Sequence, residues 1–226
     1  MKYKLLSLLL ISLSFCPTLF AQGRDHIKSQ IERWGECKNV ALTLTGGDVA
    51  LYGKNGWAAS SVPTGMSDAL NELNGDDRLI DDVQLTEEGS WLILYGDNGV
   101  RWYDIPSGLE DKIRIMNDND EVITSITFND LGDWIIISQE NISASSTGIY
   151  SWIQEGLDKF GALWAAHLTD DGIVLCYSEG YRFYGNVPDR LKNKLEETNL
   201  DVYRVKFLSD GAYFIADREG GFAYYF

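Results

Sequence analysis

Bond-making chemistry in this chain would rest on few groups: two histidines and three cysteines beside a large excess of carboxylates. His26 stands in the first turn of a helix-like segment and reads as solvent-exposed, which leaves His167 as the histidine of interest. With no second histidine, cysteine pair or serine motif beside it, His167 makes neither a metal centre nor a nucleophilic triad. An acid–base pair is open to it through Asp82 and Gln84, which occupy the matching stretch of another repeat, so a hydrolase or lyase with an axial carboxylate/His site is one reading. The remaining carboxylates, such as Asp76-Asp77, Asp118, Asp120-Glu121 and Asp170-Asp171, fall mostly in turns, where Asp and Asn support the local backbone. The run Asn117-Asp118-Asn119-Asp120-Glu121 lacks the central Gly and distal Glu of an EF-hand loop. No metal and no cofactor is expected.

The elements that would position these groups recur along the chain. Gly46, Gly89, Gly132, Gly172 and Gly211 mark five copies of one pattern, at steps of 43, 43, 40 and 39 residues. Each copy has an apolar-alternating stretch, a turn ending in the marker glycine, an apolar run, a second turn and an aromatic run. Repeats of this period point to solenoids, propellers or closed arrays. Five residues before the glycines stand Ala41, Gln84, Thr127, His167 and Lys206, between two columns that are apolar in every copy. Strand alternation sends this column to the opposite face. On the innermost strands it would ring a central channel, so Gln84, Thr127, His167 and Lys206 read either as a ligand site or as the lining of a water-filled channel.

The second copy shows the unit most clearly. Residues 83–86, 91–95 and 100–103 form three short strands, with Asn98-Gly99 supplying the positive backbone angles of a tight hairpin. Ile105-Pro106 then opens a helix whose apolar face is Leu109, Ile113 and Met116. The fifth copy ends after its third strand, and the amphipathic stretch with Ile27, Ile31 and Trp34 supplies the missing helix from the N-terminal side. A sequence cut in this way suits a ring, whereas an open solenoid needs polar capping repeats. The expected fold is mainly β with helices: a five-fold closed propeller-like toroid, each unit about three antiparallel strands plus one helix, formed by residues 22–226 as a single domain.

The stretch from Val83 through Gly89 and Trp91 to Asp104 resembles the first three strands of a β-propeller blade of the WD type, with Trp102-Tyr103-Asp104 in place of the Trp-Asp ending. It is also similar to repeats of secreted bacterial proteins with a Trp-x-x-x-Tyr-Gly-x-Asn-Gly core, Ile-Pro and a helix. Both resemblances concern fold and imply no chemistry. A three-strand, one-helix unit also resembles the module of the α/β propeller of arginine-modifying deiminases, whose nucleophilic cysteine has no counterpart here. Cys176 falls in a column with Ala50, Ile93, Ile136 and Ile215, so Cys176 and Cys37 are expected as buried free thiols. Recurring aromatics, Trp91, Trp134 and Tyr213 in one column, read as packing between units; Trp57 and Trp164 fit their columns less well.

Residues 1–21 read as a secretory signal: Lys2 and Lys4, an apolar run, and a cleavage point after Ala21. The apolar run is too short to span a membrane, and the bulky Phe15 before Cys16 argues against a lipid anchor there. Cleavage would take the formal charge from −15 to −17 by removing those two lysines, which argues against nucleic acid as a partner. The expected function is a secreted or periplasmic, non-catalytic binding module for a protein or glycan partner, with a structural adaptor of an envelope assembly as a further reading. Besides the axial face, residues 139–148 of the third copy read as an enlarged polar loop. Its Gln139, Glu140, Asn141, Ser143, Ser145 and Ser146 are the candidate partner contacts.

Overall fold

The computed structural model describes residues 18–226; the expected leader and Cys16 lie outside the described residues, apart from residues 18–21, which open the first helix. Alternating residues broken by glycine turns give five three-stranded antiparallel meanders. These are β1 (Asn39–Ala41), β2 (Asp48–Tyr52) and β3 (Gly56–Ser60); β4 (Ile80–Leu85), β5 (Trp91–Tyr95) and β6 (Gly99–Tyr103); β7 (Ile123–Phe128), β8 (Trp134–Ser138) and β9 (Ile142–Ala144); β10 (Leu163–Leu168), β11 (Gly172–Tyr177) and β12 (Gly180–Gly185); and β13 (Arg204–Phe207), β14 (Tyr213–Ala216) and β15 (Phe222–Tyr225). Helix α1 (Thr18–Trp34) precedes the first sheet, and α2 (Thr64–Gly75), α3 (Ser107–Asp118), α4 (Thr147–Phe160) and α5 (Asp189–Glu197) follow the first four. The chain is thus mainly β, with five helices and five separate sheets among the described residues.

Each sheet is apolar on both faces, so each must be covered twice. Five apolar clusters do this, one for each gap between consecutive sheets. The first joins Leu51 and Val49 to Met66 and Leu70 of α2 and to Val83 and Ile93 of the next sheet. The second, third and fourth repeat the arrangement around α3, α4 and α5. The fifth joins Phe214 and Ala216 of the last sheet to Ile27 and Ile31 of α1 and to Val40 and Ala50 of the first. Helix α1 therefore occupies, between sheets five and one, the place α2 to α5 occupy elsewhere. The first strands of the sheets touch in series, β1 with β4, β4 with β7, β7 with β10 and β10 with β13, and β13 also touches β1. Arg24 of α1 reinforces the junction: it donates to the Thr43 carbonyl at 2.9 Å and to Asp210 at 2.6 Å, in turns of the first and fifth units. Cys37 and Cys176 are both buried and free.

The marker glycines adopt φ near +90° in four units, where a side chain would be strained (Gly46, Gly89, Gly132 and Gly211). A polar residue three positions earlier closes the same turn. Thr43 Oγ1 accepts from Gly47 N–H, Thr86 Oγ1 from Ser90 N–H and Asn129 Oδ1 from Asp133 N–H. In the fifth unit that position is Leu208, which cannot accept, and Asp210 receives Ala212 N–H instead. Gly172 differs: it opens β11, and a Cβ there would press on the backbone of Tyr184 and Asn186 at 3.1–3.2 Å.

Two local expectations are corrected. The positive angle of the second hairpin falls on Gly53 and Gly96, not on Asn98-Gly99 or its first-copy counterpart Asn55-Gly56. Gly56 and Gly99 are instead kept bare because Tyr52 and Tyr95 of the paired strand lie across them. Asn98 has a separate task, donating to the Glu121 carbonyl and accepting Ile123 N–H, so that it stitches one unit to the next. Residues 139–148, moreover, are not an enlarged loop. They hold a short turn, strand β9 and the N-cap of α4, where Ser146 Oγ accepts from Ile149 N–H. The other three helices following a sheet have Pro63, Pro106 and Pro188 at the position before their first turn, and the absence of proline here disguised the same boundary.

Candidate functional site

The first strands of the five sheets, β1, β4, β7, β10 and β13, carry two tiers of alternating side chains. The expected tier is Ala41, Gln84, Thr127, His167 and Lys206; two residues earlier lies Asn39, Asp82, Ser125, Ala165 and Arg204. Gln84, Thr127 and Lys206 are buried, as are Asn39, Asp82, Ser125 and Arg204. The polar members are bonded across units. The column expected to line an open or water-filled passage is instead largely buried, and Gln84 and Lys206 belong to a hydrogen-bonded hub of side chains.

Asp82 is the centre of that hub. Its Oδ1 accepts from Lys206 Nζ at 3.0 Å, Asn39 Nδ2 at 2.7 Å and Gln84 Nε2 at 3.4 Å, and its Oδ2 accepts from Ile126 N–H at 3.4 Å. Four units meet on one carboxylate. Lys206 Nζ also donates to the Val83 carbonyl at 3.1 Å. Burial works against both charges, but Lys206 and Arg204 hold Asp82 below the ordinary carboxylate range, so it is ionised; burial pulls Lys206 below the ordinary lysine range. Gln84 and Lys206 thus belong to the hub rather than to an open site.

His167 stands apart from Asp82. Its Nδ1 lies 3.4 Å from Thr127 Oγ1, which also accepts Leu168 N–H, and its ring meets Phe207 edge-on at 5.3 Å. Burial, with the Lys206 charge, pulls its pKa down to about 3, so the imidazole is neutral at physiological pH. The hydrogen-bonded Asp82–His167 pair that acid–base catalysis requires is not formed. Thr127 and His167 come together; Gln84 and Lys206 gather on Asp82. His26 is exposed on α1. Among the described residues no group of three or more His, Cys, Asp or Glu is placed to hold a metal ion. No described helix is long and apolar enough to cross a membrane.

Above His167, at the marker-glycine end of the inner strands, opens a cavity of about 110 Å³ to which every unit contributes. Leu42, Leu85, Phe128, Leu168 and Leu208 form apolar walls, and Glu87, Asp130, Asp170 and Asp171 form the rim, with no lysine or arginine among the described lining residues. Three of the four rim carboxylates have structural partners: Glu87 accepts from the Leu44 and Thr45 N–H groups, Asp130 from Glu88 N–H and Asp170 from Asp130 N–H. The second, third and fourth units thereby each hand a carboxylate to the turn before. The six polar candidates of residues 139–148 have internal roles where bonds are made. Asn141 Nδ2 donates to Glu121 and Ser145 Oγ to Asp133, and Ser146 caps α4. Sequence reading missed the Asn39–Arg204 tier; the signal was present in alternation two residues before the tier it found.

Asp48 and His167 give the protein opposing pH responses. Asp48 is fully buried, and burial raises its pKa to about 6; its Oδ2 has no hydrogen-bond partner among the described residues, and Arg24 Nε lies 3.9 Å away. A raised carboxylate pKa adds stability below the unfolded value, and that stability is lost as pH rises through 6. A depressed histidine acts the other way, losing stability as pH falls below about 6.5. Asp48→Asn removes the first effect alone. Urea titrations are expected to show the wild type gaining on this variant by about 2 kcal/mol between pH 6.5 and pH 4; a constant difference would contradict the assignment. Among known proteins, no family model and no curated protein matches the chain.

Proposed function

We propose that the protein is a secreted, non-catalytic binding module, a five-fold closed propeller-like toroid that receives a protein partner at its marker-glycine mouth. Closure is supported by α1 packing between the fifth and first sheets and by β13 touching β1. Secretion is supported by the pattern of residues 1–21. The observation that carries the binding reading is the apolar cavity built from all five units, with its acidic rim and an uncharged floor at His167. Leu44 and Leu131 stand exposed in the turns around it, Leu131 at 70 %. An acidic mouth with apolar walls suits a partner that presents a basic, apolar-stemmed side chain. The hydrolase or lyase reading is disfavoured because Asp82 is committed to four units and His167 has no hydrogen-bonded carboxylate among the described residues.

The test is a pull-down from extracellular and envelope fractions of the source organism with the mature chain, beside Leu131→Asp combined with Asp171→Lys. Both positions are exposed, so the fold is expected to change by less than about 0.5 kcal/mol. A captured protein should bind the variant at least tenfold more weakly, and binding should weaken with added salt. Equal capture by both chains, or none by either, would sink the reading.

A further inference from the structure

Of the seven tryptophans, six pack into the apolar clusters between sheets, and Trp164 does not. The cause is local: pairing between β10 and β11 slips between Leu163 and Ala165, and Trp164 is the bulged residue. A bulge leaves its residue out of the ladder and re-aims the side chain. The same slip occurs at Asp81 and Thr124 in the two preceding units, so the device is shared and only the side chain is new.

Trp164 forms one wall of a cavity of about 330 Å³ at the opposite end of the inner strands from the acidic mouth. That size is within the range of small-molecule sites, roughly 300–1,000 Å³. Tyr203 also lines it, with the guanidinium groups of Arg204 and Arg218 packed at 4.2 Å and 3.9 Å from its ring centre. Arg218 and Glu219 sit on a hairpin held in shape by Asp217 Oδ1, which accepts N–H groups from Glu219 and Gly221. Asn199 and Asp201 complete the lining, and both also line a second cavity, of about 280 Å³, that shares Trp164.

We infer that this is a glycan site that takes a neutral pyranose against the Trp164 indole. An indole face attracts the weakly positive C–H face of a sugar ring. The surrounding groups suit hydroxyls: Arg218 donates, Asp201 and Glu219 accept, and the Asn199 amide does both. Charge separates this class from its rivals. A cation would meet the guanidinium of Arg218, and an anion would meet the carboxylates of Asp201 and Glu219. The second cavity beside Trp164 gives a linked sugar somewhere to continue.

The test follows the seven indole N–H resonances of the full chain by NMR, with the Trp164 signal identified by its loss in Trp164→Phe. Cellobiose, maltose, lactose, chitobiose and mannobiose are titrated to their solubility limits, beside tetramethylammonium and glucuronate. At least one neutral disaccharide should shift the Trp164 signal saturably. Trp164→Ala and, independently, the exposed Arg218→Ala should weaken that binding about tenfold, and Leu131→Asp at the other mouth should leave it unchanged. The inference is overturned if no neutral disaccharide shifts the signal, if a charged probe alone does, or if binding survives both substitutions. Because the two ends carry separate variants, loss of the glycan site leaves the protein-binding reading standing, and the reverse holds.

Discussion

Lys206→Met is expected to lower the unfolding free energy by about 3–5 kcal/mol, the largest loss from any single hub substitution. The reason is the group left behind. Asp82 is fully buried, and without the ammonium at 3.0 Å its charge is balanced only by Arg204 and neutral donors. Adding Asp82→Asn to Lys206→Met removes that charge and keeps an oxygen for Asn39 Nδ2, at the cost of the weaker bond from Ile126 N–H, which then meets the amide NH2. The double variant should therefore recover at least half of the loss, measured by urea unfolding at neutral pH. A single-variant cost under about 1 kcal/mol would mean that the pair is not desolvated as described. The pH dependence has a definite sign: Asp82 is depressed, so its contribution is present above the unfolded carboxylate value near 3.9 and lost as pH falls below it.

Replacing Ile27 and Ile31 together by alanine is expected to cost about 4–8 kcal/mol, enough to unfold a domain of ordinary stability. Both side chains are fully buried between the first and fifth sheets. Leu70→Ala in α2 is the reference, since Leu70 is equally buried in the first gap. If α1 is an internal element of a closed ring, Ile31→Ala alone should cost as much as Leu70→Ala, about 2–5 kcal/mol. A frayed terminal helix would instead give a loss near zero for Ile31→Ala, and closure would fail with it.

Much of the architecture was legible because it repeats. A glycine at φ near +90° leaves a fixed mark every forty-odd residues, and the alternation around it assigns inner and outer faces. The missing helix of the last unit was readable from Ile27, Ile31 and Trp34 for the same reason. The site was legible only in part. Position on a face can be read from alternation, whereas the reach of a lysine across the axis cannot. Lys206 and Asp82 are 124 residues apart, and nothing local connects them. Gly56 and Gly99 misled because glycine answers two demands, a positive angle and a bare surface, and here the ring of a cross-strand tyrosine decides. Trp164 was visible as an irregular position, but its meaning depends on a bulge that only pairing reveals.

The carboxylates passed from one turn to the preceding one give the units a direction. Glu87, Asp130 and Asp170 each act as a plug, and the backbone N–H groups of the turn before act as the socket. An interface of this head-to-tail kind does not record how many members it joins; the rotation at each step decides that. A duplicated second or third unit would arrive with its own plug and socket already matched. Arrays built on this turn can therefore change in number by recombination within a gene, without a new interface having to be invented.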